Sequence, residues 1–377
     1  MQRVPRSAGR SGNWVSALEL IGFVLLLPGA AAPDVPLYVF PKPSFDGDPR
    51  NYVCYRTDAP PVIDGRLDER AWQFAPWTDE FVDIDGDRLP APRFSTRVKM
   101  LWDDDFFYVT AEMEEPHVWA KLDKRDSVIF YDNDFEVFID PDGDTHEYYE
   151  LEVNAFGTEW DLLLTKPYRD GGTAIDSWDI QGLRTGIDVR GTINDPEDTD
   201  EGWSVELAIP WSVLEECAHG PTPPEDGDQW RVNFSRVEWK TEVVDGDYVK
   251  LTDPETGRPL PEDNWVWSPQ GLVNMHYPEM WGFVQFSGVT AGVAETAYAP
   301  DPSAADRRTL MRLYYAERTF FGNNGGYTAD LDALGLGGAP PGANWPPAVH
   351  VSPSGFEASV KRPDGTTLRI SQDGHIR

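Results

Sequence analysis

Cysteine and histidine are scarce in this chain of 377 residues: Cys54 and Cys217 are the only thiols, and six histidines are scattered along it. Neither type recurs with the spacing of a tetrahedral zinc site, so thiol redox chemistry and zinc–thiolate binding have no support. Two distant cysteines are compatible with one disulfide or with none. Positive charge is scarce too, with 32 Lys and Arg against 65 Asp and Glu and a formal net charge of −33. A surface this acidic repels phosphate backbones and argues against nucleic acid as a partner. The same acidity favours solubility and offers oxygen ligands to hard cations such as calcium. No G-x-S-x-G, H-E-x-x-H or phosphate-binding glycine loop occurs, which leaves no recognisable catalytic motif. The one apolar run, Leu20–Leu27, is too short to span a bilayer, so no membrane span is expected in the mature chain.

That run has the features of an export signal. Arg3, Arg6 and Arg10 precede it, and Pro28, Gly29 and Ala30-Ala31-Ala32 follow as small residues suited to cleavage. Residues 1–32 are therefore read as a signal peptide, which places the mature protein in the periplasm, at the cell surface or outside the cell. Residues 33–51 are proline-rich and read as an extended arm.

From 52 to 288 the pattern is strand-like. Thr96–Trp102 and Phe106–Met113 flank Asp103-Asp104-Asp105 and predict a hairpin. Phe135–Asp140, Tyr148–Phe156, Glu159–Leu164, Ile187–Ile193, Trp203–Ile209, Trp230–Trp239 and Trp281–Phe286 continue the series of short, apolar-rich segments. Helical periodicity is confined to Leu67–Phe74 and Trp211–Cys217. Many short strands at near-regular spacing predict an all-β antiparallel sandwich, jelly-roll-like in kind. Residues 289–303 shift toward Ala and Pro and read as a linker. From Asp301 onward eight acidic and eight basic residues balance, so the acidity belongs to the sandwich. Within 304–377, Leu310, Leu313, Tyr314, Phe320 and Phe321 share a helical face, Asn323–Gly326 ends it, and Phe356–Val360 with Thr367–Ile370 predict a hairpin. This is a small α+β unit, open to a protein partner.

Four segments carry a family resemblance, in order. Pro61–Glu69 with Trp72 resembles the opening motif of family 9 carbohydrate-binding modules. Asp132-Asn133-Asp134-Phe135-Glu136-Val137-Phe138-Ile139-Asp140 resembles their acidic central strand. Gly202–Trp211 resembles the strand ending in a Pro-Trp turn, and Trp281-Gly282-Phe283-Val284 the closing strand. The resemblance implies a calcium-supported sandwich that grips glycan, at chain ends in some members, without catalysis and in the setting of polysaccharide breakdown. Tyr315–Phe321 through Tyr327 to Leu334 is loosely similar to the globular part of type IV pilin-like proteins.

A sugar ring has an apolar face that aromatic side chains cover, and a hydroxyl rim that carboxylates, amides and Arg bond. Through the resemblance, Glu136 falls on the family's sugar-binding Glu and Phe130 on one of its two sandwiching Trp positions. Met275 or His276 falls on the other, Glu152 on a family Arg and Arg236 on a family Gln. Trp72, Trp203, Trp211 and Trp230 read as core; Trp239, Trp265 and Trp267 as core or sugar platforms. The expected carbohydrate site is Phe130, Glu136, Glu152, Arg236, Trp239, Trp267, Asn274 and His276. The expected calcium ligands are Asp140, Asp142 and Asp144, which alternate on an acidic loop. Two other readings stay open. A glycoside hydrolase would need two facing carboxyl groups, and the sequence singles out no pair. Haem binding would draw on Met275, His276 and His146, but adjacent residues on a strand point apart, which sets Met275 against His276 on a single iron.

Overall fold

Alternation of apolar and polar side chains along the central strands decides how the sheet folds over. The computed structural model describes residues 37–45 and 47–377; the leader and the first part of the arm lie outside the described residues. The principal strands are β1 (Asn51–Arg56), β2 (Thr96–Trp102), β3 (Phe106–Glu114), β4 (Asp134–Asp140), β5 (Tyr148–Asn154) and β6 (Glu159–Leu164). They continue with β7 (Arg184–Arg190), β8 (Gly202–Pro210), β9 (Gln229–Glu238), β10 (Asp263–Val266) and β11 (Gly282–Thr290). Hydrogen bonding orders them β6-β5-β4-β9-β11-β1-β2-β3-β8-β7, with β10 pairing on β9.

The two ends of this path enclose one apolar core. Phe135, Val137 and Ile139 of β4, Tyr149 and Leu151 of β5, and Val232 and Phe234 of β9 join Val98, Met100, Phe107, Val109, Val205 and Leu207 in a single cluster. This is the expected all-β sandwich, with one departure. β1 runs parallel to both of its neighbours, β11 and β2. Its six residues carry no directional signal, because pairing direction depends on what lies alongside rather than on the strand itself.

Trp72, Trp203, Trp211 and Trp230 are core, as expected, and Trp265 and Trp267 are buried with them. Cys54 and Cys217 are both buried and unbonded. Burial pushes both thiols up, that of Cys217 to about 12, which keeps them protonated.

The long helix Ala304–Asn324 stops at Gly325, whose left-handed φ of 70° a side chain would resist. It packs on a three-stranded sheet, β12 (Ala348–Ser352), β13 (Gly355–Lys361) and β14 (Thr367–Ser371). The helix and the β13–β14 hairpin match the sequence expectation, and β12 is an addition. Their core takes Leu310, Leu313, Tyr314, Phe356, Val360 and Ile370, and also Phe40, Tyr277 and Met280. Residues 296–299 lie against the sandwich: Thr296 N–H donates to the Tyr55 hydroxyl at 2.9 Å and Ala299 N–H to Gln285 Oε1 at 2.7 Å. Residues 39–377 form one compact unit. Among the described residues no helix is long and apolar enough to cross a membrane.

Candidate functional site

β4 and β5 are buried on both faces, yet one face of each is lined with acid. Odd-numbered residues of β4 point into the sandwich core, so Asp134 and Glu136 point the other way. Register then sets their neighbours. Glu136 lies opposite Glu152, Phe138 opposite Glu150, and Glu152 opposite Trp160 on β6. Directly paired residues share a face, so four carboxyl groups and an indole converge on one side of the sheet.

Glu136, Glu150, Glu152 and Trp160 line a cleft of about 200 Å³, and Asp134 shares their face of the sheet. Phe130 and Trp160 stand on one side, ring centroids 6.4 Å apart and tilted by 33°. Met275, His276 and Tyr168 also line it, with Glu262 and Asn264 at the margin. His276 Nδ1 lies 3.0 Å from the Tyr148 hydroxyl, and its ring meets Tyr168 edge-on at 4.5 Å. Burial, then the Arg169 charge, push the His276 imidazole down to about 3, so it is neutral at physiological pH. Burial pushes the Glu136 carboxyl up to about 7, and burial with neighbouring carboxylates holds Asp134, Glu150 and Glu152 well above the usual range.

Four of the expected carbohydrate contacts meet here: Phe130, Glu136, Glu152 and His276. Two more act from behind. Trp239 Nε1–H donates to the Phe130 carbonyl at 2.8 Å, while the Lys250 ammonium covers the Trp239 ring 3.3 Å from its centroid. Asn274 is exposed, and its Oδ1 accepts the His276 backbone N–H at 2.8 Å. The remaining two are elsewhere. Arg236 is opposite Phe135 and therefore faces the sandwich interior, where it donates to Thr96 Oγ1, Glu115 Oε2 and Glu238 Oε2 at 3.0, 2.8 and 3.0 Å. Trp267 is wholly buried against Phe234, and a side chain at Gly282 would strike its ring at 2.3 Å. A one-residue step along a strand turns a side chain to the other face, and that step separates Arg236 from the cleft.

Sequence reasoning did not single out Trp160, Glu150, Asp134 or Tyr168. The first three follow from register: once Glu136 faces the cleft, the Asp/Gly-rich turn after β4 and the Ala155–Thr158 turn fix Glu152 and then Trp160 beside it. Tyr168 sits on a separate loop turn and gives no such signal.

The acidic loop after β4 does not gather its three aspartates. Both oxygens of Asp140 accept backbone N–H groups, from Gly143 at 2.9 Å and Thr145 at 3.0 Å. Asp142 and Asp144 do converge, together with His219, one ligand atom from each lying within 4.8 Å of the others. Asp144 also meets His375 Nε2 at 2.7 Å. Calcium prefers a cage of oxygens, and this set brings nitrogen, so it does not match a calcium site. Asp140 stays out of the Asp142–Asp144 group because its two oxygens are spent on closing the turn. His146 stacks on His375 at this loop, 4.5 Å between centroids, rather than in the cleft with Met275 and His276.

Residues 63–256 match the family described as carbohydrate family 9 binding domain-like. Among curated proteins, an exoglucanase (XynX) of Acetivibrio thermocellus is 28% identical over 157 residues, which is 41% of this chain and 12% of that protein. An endo-1,4-beta-xylanase A of Thermoanaerobacterium saccharolyticum is 26% identical over 155 residues, 41% of this chain and 11% of that protein. The matched region is thus about a tenth of each relative's length. Among solved structures, a family 9 carbohydrate-binding module of Caldicellulosiruptor kristjanssonii in complex with cellotriose aligns at TM-score 0.42 and 17% identity, covering 67% of this chain and all of that one. A putative carbohydrate-binding protein of Bacteroides uniformis aligns at TM-score 0.44 and 16% identity, covering 64% of this chain and all of that one.

Proposed function

Since the chain belongs to the carbohydrate family 9 binding domain-like family, we propose that the cleft over β4, β5 and β6 binds a glycan without cleaving it. One observation carries the reading: two tilted aromatic rings, Phe130 and Trp160, rise beside buried carboxyl groups that point at the same space. The rings suit the apolar face of a pyranose, and Glu136 and Glu152 suit its hydroxyls. The small volume favours the end unit of a chain over a long stretch of it. His276, held neutral, offers Nε2 as a further hydrogen-bonding group, while Arg236 and Trp267 have structural roles.

Hydrolysis is the second reading, and geometry weighs against it. A glycosidase places its two carboxyl groups on opposite sides of the scissile bond. Glu136 and Glu152 are direct neighbours on adjacent strands and rise from one floor. Export through the 1–32 leader and service in polysaccharide breakdown belong to the same proposal. N-terminal sequencing of secreted protein tests the leader.

A glycan array followed by calorimetry tests the binding. Wild type is expected to bind, with Glu136→Ala and Trp160→Ala each weakening affinity about tenfold or more. Unchanged affinity in both variants would remove the cleft from consideration. Reducing-sugar release from the bound glycan would favour the hydrolase.

A further inference from the structure

We propose that Asp134, Glu136 and Glu152 form a divalent-cation site of the hard, calcium-accepting class at the edge of the cleft floor, where Glu136 and Glu152 line the cleft beside Glu150 and the open coordination positions face the bound glycan.

The distances fit one ion. One oxygen from each of the three residues lies within 4.8 Å of the other two. Oxygens on opposite sides of a calcium ion are about 5 Å apart, twice its bond length, so all three can sit on one coordination sphere. The donor set is all oxygen, unlike the Asp142–Asp144–His219 group, which selects the hard cations.

Burial makes the cluster costly without a cation. Asp134, Glu136, Glu150 and Glu152 are 0, 5, 5 and 2% exposed. Asp134 Oδ2 and Glu150 Oε2 are buried with no hydrogen-bond partner. A buried carboxylate oxygen left unpaired is strongly disfavoured, and an ion is the ligand that satisfies several at once. The neighbouring basic side chains are committed elsewhere: Lys250 lies on the Trp239 ring, and Arg236 pairs with Glu115 and Glu238 on the opposite face. A third acidic group, Asp126–Asp161–Asp179, shows the contrast, because Arg125 binds Asp161 and Asp179 at 2.6 and 3.2 Å.

Rigidity is the last element. The ligands stand on two paired strands, so their spacing is fixed by sheet register rather than by a loop. Three carboxylates leave about three to five positions of a calcium sphere unfilled. Adjacent hydroxyls of a sugar are suited to fill two of them. This second half rests on the glycan-binding reading; the ion site itself does not.

The test uses the full chain stripped with EDTA and titrated with calcium chloride alone, followed by calorimetry and thermal unfolding. Binding at about 1 mM or tighter is expected, with a rise in melting temperature. Glu152→Gln is expected to lose at least tenfold in calcium affinity while melting no lower than wild type in EDTA, since one buried like charge is gone. Asp134→Asn serves as the second variant if the first does not fold, and Asp142→Asn is expected to bind calcium as wild type does. No heat and no thermal shift up to about 10 mM calcium overturns the site. So does wild-type calcium affinity in the folded cleft variant, or loss of it in Asp142→Asn. An array-selected glycan is then titrated with calcium and with EDTA, and a loss of at least tenfold in EDTA is expected. Full glycan affinity in EDTA overturns the ion's part in recognition and leaves glycan binding standing. Calcium binding without any glycan on the array leaves the ion site standing and ends the glycan reading.

Discussion

Glu206 shows at the scale of one residue why widely spaced motifs travel together. Its carboxylate accepts the backbone N–H groups of Asp64 and Gly65 at 3.0 and 2.8 Å and Trp72 Nε1–H at 2.6 Å. The opening motif is therefore bolted to the Gly202–Trp211 motif by a single buried acid. Gly65 completes the fit, with φ of 89° and room for no Cβ, which would come within 2.2 Å of the Ile187–Asp188 backbone. Glu206→Ala leaves two buried donors, Gly65 N–H and Trp72 Nε1–H, without their acceptor and is expected to cost about 3 kcal/mol in urea unfolding. Gly65→Ala is expected to cost at least as much, through backbone displacement. Another buried acid, Glu317 of the long helix, gives a pH signature. Burial pushes it up to about 7, against the lowering effect of the Thr328 N–H. Its folded value lies above its unfolded value, so its stabilising contribution is complete below about pH 4.5 and fades as pH rises through 7. Melting temperatures from pH 4.5 to 8 should fall more steeply for wild type than for Glu317→Gln; parallel curves would contradict this. Which acids are buried was not legible in the sequence, because 65 acidic residues look alike until register sorts them.

Among the elements, the loop that carries Met275 and His276 is held from three directions. Trp281 Nε1–H donates to the Met275 carbonyl at 2.8 Å. Arg169 donates to the His276 carbonyl and to Glu279 Oε2, both at 3.0 Å, and lies over the Tyr277 ring. From the long helix, Tyr315 bonds Glu279 and stacks with Tyr277 at an interplanar angle of 10°. The C-terminal unit thus braces one wall of the cleft. Tyr315→Ala is expected to cost about 3–5 kcal/mol and to weaken glycan binding although it touches no ligand. Calorimetry at a temperature where the variant stays folded separates the two effects. The hairpins β2–β3 and β13–β14 were legible to within a residue or two, since alternation and turn chemistry are local. The bracing was not, because Tyr277 and Tyr315 meet only after the chain has folded back on itself.

At the scale of the whole molecule, the first and last strands of the sandwich, β1 and β11, meet in the middle of its sheet. Sequence motifs pointed to the sandwich, while the parallel seam and the shared core of the C-terminal unit depended on long-range pairing. A chain trimmed to the family-matched residues 63–256 lacks both β1 and β11. It is expected to be largely unfolded or aggregated by circular dichroism and size exclusion, whereas 39–377, one compact unit, is expected to unfold in a single transition.

That seam also governs timing. Asn51 pairs with Phe283, which lies 232 positions further on. No local hairpin can nucleate this contact, and pairing across so long a loop is slow to form. During synthesis, β1 waits with one bare edge until nearly three hundred residues exist, exposed to the edge-to-edge association that unpaired strands invite. A ribosome-bound chain should therefore stay protease-sensitive until β11 has emerged, and then close in a single late step.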